Sequence, residues 1–456
     1  MPQHGKETRR SGRPTRRVSR ASRRRFLGAA GAVGVTGLAG CTGALGNQSI
    51  TLRVLNTAYD QGQEAWEEIF TEFENEHDNV TIEYERVDFA DAPSRASQAH
   101  AGGDPYDLAS LASPGNNVFG VREGLFQPIN DVIEDMGGTD HWFEGVLFEI
   151  DGDHYLAPDA GTVLNQPYRI DLFEEAGVDT PPFDSFEEYL GAAEQLTIPD
   201  QDQYGHPVFL GTNHFHGVWP LCMVLGNGGH LVNTNNEIVW DSEEVVEILE
   251  LYQQLDQYSP EAAHNASIPD MRPPLYQGSY AMTWYSTNLV PYDIQEYNPD
   301  LKGLVDVAPP PAASGNDPVA RMTGTGYGLS SQTENPEMAK ELLKHMTSLE
   351  SMTKLQLAAP GQTVPVAHGL LDQDALWETD ILQEYEEHYR NLVNIAENYG
   401  RIIAVQENVD HINPVTGQAL SETHVIQTFQ DVILNDMAPQ DAATKWADQM
   451  REDFEL

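Results

Sequence analysis

The pattern of apolar and polar positions along the chain predicts alternating strands and helices. Residues 50–56 alternate between apolar and polar side chains, which is typical of a half-buried strand. Residues 63–76 repeat apolar side chains at the spacing of one helix face, and these are Trp66, Ile69, Phe70 and Phe73. Further strands are predicted at 80–87 and 106–111, with a helix at 96–101 between them. This alternation favours a parallel α/β lobe with right-handed crossovers.

A similar pattern restarts after residue 150. It predicts strands at 154–157, 164–169, 280–285 and 321–330. It predicts helices at 185–196, 217–225, 242–254, 336–347, 351–357, 376–398, 423–435 and 440–453. Because a chain of this length exceeds what one hydrophobic core usually supports, we expect two domains. Ligands of such sheets bind at the carboxyl ends of the strands, which directs attention to the loops there.

The first 41 residues have the pattern of an export signal. Residues 22–27 read SRRRFL, a twin-arginine motif, and a small-residue apolar stretch follows. The stretch ends in Leu-Ala-Gly-Cys, so we expect cleavage before Cys41 and attachment of a lipid to that residue. The apolar stretch from 26 to 40 is too short for an ordinary membrane-spanning helix. We therefore expect an extracellular protein, tethered by residues 41–49 to the outer face of the cell membrane.

The charge of the chain is strongly acidic, with 71 acidic and 25 basic residues and a net charge of −46. Ten basic residues and one acid lie in the first 40 positions, so the remainder carries 15 basic and 70 acidic residues, a net charge of −55. Molar salt shortens the Debye length to about 3 Å and screens such repulsion, so the composition is typical of an extreme halophile. It excludes a nucleic-acid partner, and an anionic ligand would have to overcome the acidic field.

Seven stretches, in order, resemble a known family over most of residues 50–456. They include TLRVLNTAYD, AGGDPYDLASLASP with REGLFQPI, YRIDLFEEAGVDTPPFDSFEEYLGAAEQLT, LGNGGHLVN, YQGSYAMTW, TGTGYGLSSQTENPEMAKELLKHMTSLE and PGQTVPV. Together they are similar to the extracellular solute-binding proteins of carbohydrate-type ABC importers (family 1, with maltose-binding protein as the best-known member). With the leader, the resemblance points to a haloarchaeal twin-arginine lipoprotein.

The resemblance implies an α/β fold of two lobes with a hinge and a ligand cleft between them. It implies an N-terminal lobe of residues 50–158 and 322–370, and a C-terminal lobe of residues 159–321 and 371–456. The chain would cross between the lobes near 158–162, 318–322 and 366–374. Binding proteins of this kind close around their ligand by hinge motion. The implied partners are a sugar or oligosaccharide and the permease subunits of an importer with its ATPase, and we expect a monomer without cofactors.

Candidate ligand residues are polar and aromatic side chains in the loops that the resemblance places at the cleft. A sugar offers apolar C–H faces to aromatic rings and hydroxyl groups to planar polar side chains. After the first and third strands the candidates are Tyr59, Asp60, Gln61 and Ser113, although Asp60 could serve only to cap a helix. At the first crossing they are Asp159, Thr162 and Asn165, with hydrogen bonding within the hinge as the alternative.

The run NHFHGVWP at 213–220 aligns with an aromatic-x-x-Trp-Pro-Leu segment of the family. It contributes the candidates Asn213, His214, His216 and Trp219. A metal pair of the two histidines is the alternative there, but no further ligands of suitable spacing accompany them, and Trp219 could instead belong to the core. The remaining candidates are Trp284, Tyr285, Asn288, Glu422 and Tyr327, the last expected to face the cleft from a Gly-rich strand.

The sequence contains none of the common catalytic motifs. It has no H-E-x-x-H, no G-x-S-x-G and no phosphate-binding P-loop. We therefore expect a binding protein that is not an enzyme. A secreted hydrolase or lyase acting on glycans stays an alternative, because 70 acids offer many chance carboxylate pairs. A binding protein for a polyamine, iron or glycerol phosphate is a further alternative, and the shortage of basic residues argues against phosphate esters.

Overall fold

The computed structural model describes residues 49–57, 62–88, 91–111, 113–147, 149–286, 290–405, 407 and 412–454. The export signal, Cys41 and all of the tether except Ser49 lie outside these residues, so those expectations stay predictions. Within the described residues, no helix is both long enough and apolar enough to cross a membrane.

Within the described part of the chain, nine strands form one large mixed sheet and one small sheet. The strands are β1 Ile50–Asn56, β2 Val80–Arg86, β3 Leu108–Ala109, β4 Phe126–Gln127, β5 Leu156–Val163, β6 Gln166–Arg169, β7 Val305–Ala308, β8 Ala320–Ser330 and β9 Gly400–Arg401. The large sheet has the order β2-β1-β3-β8-β4, and β5 and β9 also pair with β8. β1 is parallel to β2 and β3, as predicted, whereas β8 runs antiparallel to β3, β4 and β5. β6 and β7 form the small sheet.

Seventeen α-helices are present in the described residues. They are α1 Gln63–Glu76, α2 Ala92–Ala101, α3 Pro114–Arg122, α4 Asn130–Asp135, α5 Ile170–Ala176, α6 Phe186–Gln195, α7 Val218–Gly226, α8 Glu243–Leu255, α9 Pro273–Gln277, α10 Val290–Tyr297, α11 Pro336–Met346, α12 Leu349–Ala358, α13 Asp380–Glu384, α14 Glu386–Tyr399, α15 Val415–Ser421, α16 His424–Leu434 and α17 Pro439–Asp453. Short 3₁₀ helices lie at Thr139–His141, Pro199–Gln201, His214–Gly217, Asp256–Tyr258, Glu261–Asn265, Ile268–Met271, Pro299–Leu301, Leu370–Asp372 and Asp374–Glu378.

Several predicted elements differ from the structure, and one of them is the strand predicted at 106–111, which is reduced to Leu108–Ala109. The strand predicted at 280–285 is replaced by isolated bridges, among them Met282 with Tyr168 and Tyr285 with Asn165. The single helix predicted at 376–398 is divided into a 3₁₀ turn, α13 and α14. The apolar periodicity continues through these pieces, so the pattern of buried positions alone did not reveal the breaks.

The buried apolar side chains form two large cores. The first core packs α1, α11 and α14 against the large sheet, and its largest side chains include Phe73, Trp142, Tyr327 and Tyr389. The second core joins α6, α7, α8, α16 and α17, and contains Trp219, Trp240 and Phe429. The buried residues of α14 belong to the first core. The predicted C-terminal lobe, residues 159–321 and 371–456, includes α14, and the exact lobe limits stay a prediction.

The long strands β5 and β8 lie where two of the predicted crossings fall. Pro158 pairs with Gly326 and Gly161 pairs with Gly324, so two residues of β5, Asp159 and Ala160, stand opposite one residue of β8. Such a bulge bends a strand and re-aims its side chains. A Cβ atom at Gly161 would lie 2.9 Å from the carbonyl oxygen of Thr323, so the close approach of the two strands requires glycine there.

A buried ion pair links α10 to the segment before α9. Nη1 of Arg272 donates to both carboxylate oxygens of Asp293, at 2.8 and 2.9 Å. Burial raises the pKa of Asp293 to about 6, although Arg272 opposes the shift. We expect Arg272→Met to destabilise the protein by about 2 kcal/mol more at pH 8 than at pH 5, because the unpaired carboxyl group stays protonated at the lower pH.

Urea unfolding of the wild-type protein and the variant at both pH values measures this difference. With a pKa of about 6, Asp293 already lowers the stability of the wild-type protein as the pH rises from about 4 to 6. Loss of Arg272 raises this pKa further, so the variant continues to lose stability above pH 6. The exposed Arg390, which pairs with Glu386 on the surface of α14, offers a control as Arg390→Met, whose cost should be small at both pH values. An equal cost for Arg272→Met at pH 5 and pH 8 would contradict the prediction.

Candidate functional site

A small cavity lies at the carboxyl ends of β1 and β3. Its volume is about 90 Å³. Asn56, Thr57 and Ser110 line it from the ends of these strands, as the geometry of parallel sheets leads one to expect. The segment after α12 closes the opposite side with Gln362 and Thr363. The cavity is thus lined by hydroxyl and amide groups contributed by several separate segments.

The bulge in β5 supplies the floor of the small cavity. Asp159, Gly161 and Thr162 line the cavity, and Thr323 of β8 lies beside them. The hydroxyl groups of Thr162 and Thr323 are 2.6 Å apart, which fixes the position of both side chains. The Asp159 carboxyl group is buried, with 8% of the residue exposed. A buried carboxylate at a bulge is well placed to accept hydrogen bonds from hydroxyl groups of a ligand.

Tyr327 lies on β8 close to this carboxylate. Burial raises the pKa of Tyr327 well above its usual range, and the charge of Asp159 raises it further. The ring packs against Trp66, which lines the small cavity, with the ring centres 5.5 Å apart. The expectation that Tyr327 faces the cleft is wrong, because its ring is fully buried in the first core.

A second, larger cavity of about 760 Å³ adjoins the small one. Thr323 lines both cavities, so the two meet at β8. One wall of the larger cavity is α3, which begins after Ser113, where the Ser113 hydroxyl accepts a hydrogen bond from the Asn116 backbone at 3.2 Å. The other wall is formed by α15 and by the 3₁₀ helix that begins at His214. The volume falls in the usual range of sites for small organic ligands.

The larger cavity has an exposed aromatic ring and positive charge. Phe119 of α3 is 53% exposed and lines the cavity. Arg122, one helical turn further along α3, lines it as well, and so does Arg321 of β8. Desolvation lowers the pKa of His214, and the nearby charge of Arg321 lowers it further, so the imidazole is neutral at pH 7.

The sequence profile of the family described as bacterial extracellular solute-binding protein matches residues 59–353. The chain belongs to this family. A relative, the arabinooligosaccharide-binding protein of Halalkalibacterium halodurans, is 24% identical over 349 residues, which cover 72% of this chain and 70% of that protein.

Solved structures of binding proteins share the fold. MalE from Xanthomonas citri, a sugar-binding protein, matches with a TM-score of 0.72 at 14% identity, over 88% of this chain and 96% of that chain. A cyclo/maltodextrin-binding protein complexed with maltotetraose matches with a TM-score of 0.69 at 17% identity, over 91% of this chain and 99% of that chain. The predicted two-lobed α/β fold is thereby confirmed.

The predicted ligand residues of this solute-binding protein do not all line one cavity. Asp159 and Thr162 line the small cavity, and Ser113 and His214 line the larger one. Asn213 and His216 line a third cavity of about 600 Å³, and Tyr285 lines a narrow groove beside Arg272. Asn165, Trp219, Trp284 and Tyr327 are buried. Tyr59, Asp60, Gln61 and Asn288 lie outside the described residues.

Trp219 and Trp284 are stacked on each other inside the second core. Their ring centres are 5.7 Å apart and the ring planes differ by 7°. Trp219 is completely inaccessible and Trp284 is 2% exposed. Asn165 is also fully buried, and its side-chain amide donates to the Val163 carbonyl at 3.0 Å. None of these three described side chains reaches the two joined cavities.

The solute-binding protein brings no predicted pair of metal ligands together at the cavities. His214 and His216 line different cavities, so they do not converge on one point. Glu422, His424 and Asp453 do cluster, with ligand atoms within 4.8 Å of one another. There the imidazole Nε2 of His424 lies 2.8 Å from Asp453, and this hydrogen bond lowers the pKa of the Asp453 carboxyl group. Glu422 is exposed and accepts a hydrogen bond from Gln418, which lines the larger cavity.

Several cavity residues were not predicted from the sequence. Phe119, Arg122 and Gln418 are the clearest of them. The available signal was the sequence that follows Ser113, where a helix-capping serine and a proline at the first helical position mark a helix start. On that helix the adjacent apolar residues Val118 and Phe119 both line the cavity, Val118 buried and Phe119 exposed. The apolar pattern alone did not show that one of them would present an exposed ring there.

Proposed function

We propose that this solute-binding protein captures a saccharide in the two joined cavities and delivers it to the permease of an ABC importer. The observation that carries the proposal is the bulge in β5. It places a buried carboxylate, Asp159, on the floor of a cavity that continues into a larger one with an exposed aromatic ring, Phe119. Carboxylate groups suit the hydroxyl groups of a sugar, and an aromatic ring suits its C–H face.

The functions of the relatives support this proposal. One binds arabinooligosaccharides, and solved structures with the same fold include a complex with maltotetraose. Lobes joined by crossing strands can close by hinge motion, and ligand on the floor of the cleft would favour the closed state. We further propose that the protein works outside the cell as a monomer, anchored through a lipid on Cys41, and that its acidic surface is adapted to high salt.

An enzymatic role has less support from the site. Glycoside hydrolysis ordinarily requires two carboxyl groups on opposite sides of the bond that is cleaved. Among the described residues that line the two joined cavities, Asp159 is the one carboxylate. The site therefore has the components for binding hydroxyl groups but lacks, in its described lining, the pair needed for hydrolysis.

Titration of the purified protein with oligosaccharides in molar salt tests the proposal. Arabinooligosaccharides, maltodextrins and acidic oligosaccharides form the panel, with binding measured by calorimetry and products by chromatography. We expect one saccharide class to bind in a 1:1 ratio without turnover, and a ligand at 100 times its Kd to stabilise the fold by about 2.7 kcal/mol. Release of shortened products would show an enzyme, and failure of every saccharide to bind would overturn the proposal.

A further inference from the structure

The lining of the larger cavity reverses the charge balance of the chain. Acidic residues outnumber basic ones by 71 to 25 in the sequence. Yet the described residues that line this cavity include two arginines, Arg122 and Arg321, and no carboxylate. The chain has 15 basic residues after residue 40, so two arginines in one cavity are a substantial share of them. The positive lining therefore stands out against a protein that otherwise repels anions.

Arg122 is available to a ligand. It is exposed, and no carboxylate of a described residue lies within ion-pairing distance of its guanidinium group. Most other described cations behave differently: Arg169, for example, pairs with Asp171, and Lys354 pairs with Glu72. Surface cations in so acidic a chain find carboxylates easily, so a cation without one at a cavity wall is unusual. Its position leaves the planar guanidinium group free to bind an anion from the cavity.

Arg321 adds positive potential to the same cavity. It is half-buried on β8 and donates a hydrogen bond to the Ser286 hydroxyl at 3.0 Å. Its charge lowers the pKa of His214, which lines the same cavity. The arginine therefore acts on groups within the cavity, and its hydrogen bond to Ser286 helps to hold it there.

We propose that the saccharide is anionic, with a carboxylate or sulfate group on its sugar ring that binds in the larger cavity at Arg122 and Arg321. This inference rests on the proposed function and specifies its ligand class. Guanidinium groups bind carboxylates and sulfates through paired, charge-assisted hydrogen bonds. Phe119 lies one helical turn before Arg122 on α3, so one sugar can stack on the ring while its anionic group meets the guanidinium. The positive lining offsets, at this one place, the acidic field of the whole chain.

Calorimetry with matched saccharides tests the inference. Oligomers of galacturonate, glucuronate and mannuronate are compared with the neutral oligomers of galactose, glucose and mannose, and galactose 6-sulfate represents the sulfate esters. We expect an acidic saccharide to bind at least about tenfold more tightly than its neutral counterpart, since a hydrogen bond to a charged group contributes that much or more. A preference confined to the sulfate ester would assign the site to sulfated sugars, and a preference confined to the uronates would assign it to carboxylated ones.

Arg122→Gln separates this role from a general effect of charge. We expect it to remove most of the preference for the acidic saccharide, because it weakens binding of the acidic saccharide far more than binding of the neutral one. Arg390→Gln changes the net charge by the same amount at a distant surface site and should leave the preference intact. Phe119→Ala should weaken both saccharides alike, because stacking does not depend on the anionic group.

The outcomes distinguish this inference from the proposed function. Equal or tighter binding of neutral saccharides would overturn the anionic class while leaving saccharide capture in place. An unchanged preference in Arg122→Gln would also overturn the assignment to this cavity. If no saccharide binds, both the inference and the proposed function are wrong. Thermal unfolding of each variant checks that the fold is retained, which the exposure of Arg122 leads us to expect.

Discussion

Asp159→Asn is expected to weaken saccharide binding by about 30-fold. The carboxylate is buried at the bulge of β5 and lines the small cavity, so a ligand hydroxyl that donates to it does so with little competition from water. Hydrogen bonds to charged groups contribute about 1.5–3 kcal/mol, and each 1.4 kcal/mol is a factor of ten in affinity. Asparagine keeps the shape of the side chain but removes the charge and one of the two acceptor oxygens.

Calorimetric titration of the variant measures this loss. Asp151→Asn is the matched control: it removes one carboxylate a few residues earlier, at an exposed position whose positive φ of 55° asparagine also accepts. The control should bind like the wild-type protein. Unfolding experiments on both variants separate lost affinity from lost stability. Wild-type affinity in a folded Asp159→Asn variant would place the ligand elsewhere than the small cavity.

Trp219→Ala is expected to destabilise the protein by about 3–5 kcal/mol. The ring has no solvent exposure, stacks on Trp284 and also faces the ring of His206 at 6.3 Å. Removing it opens a void in the second core that the surrounding helices can fill only in part. This is a substantial fraction of the stability of an ordinary domain, so the variant should unfold at a much lower denaturant concentration.

Denaturant unfolding of two further variants shows whether the loss of stability comes from the lost ring stacking in the core. Trp219→Phe keeps an aromatic ring in the stack and should cost clearly less. Leu434→Ala removes apolar atoms from a half-exposed position on α16 and should change stability by no more than about 0.5 kcal/mol. Saccharide affinity in Trp219→Phe should equal that of the wild-type protein. A large loss of affinity there, without a loss of stability, would restore Trp219 as a ligand platform.

Elements with a clear period were predictable from the sequence. The strand at 50–56 and the helix at 63–76 have the predicted bounds, because alternation and the apolar stripe of α1 each point to one structure. β3 and β4 have two residues each, too few to establish a period, and so the long strand predicted at 106–111 is reduced to Leu108–Ala109. Such short strands exist because neighbouring strands pair with them, and that information is not local.

The residues of the candidate site that lie on the strand predicted to cross between the lobes could be predicted from the sequence. Asp159 and Thr162 were found because the crossing strand of a two-lobed protein passes the cleft. Trp219 was ambiguous, since an aromatic residue in an apolar run suits either a core or a platform, and only packing decides between them. Arg122 was missed because a lone arginine on a short helix carries no signal until the opposite wall of its cavity is known.

The floor and the walls of the joined cavities differ in how freely they can change. The floor belongs to β5 and β8, where glycine at 161 and the hydroxyl pair of Thr162 and Thr323 are tied to the pairing of two strands. The walls carry Phe119, Arg122 and other side chains that project from helices, and replacing these disturbs no strand pairing. Substitutions on the helices could therefore change the ligand preference with little loss of stability. The strands would keep the same hydrogen-bonding groups for the hydroxyl groups of different ligands.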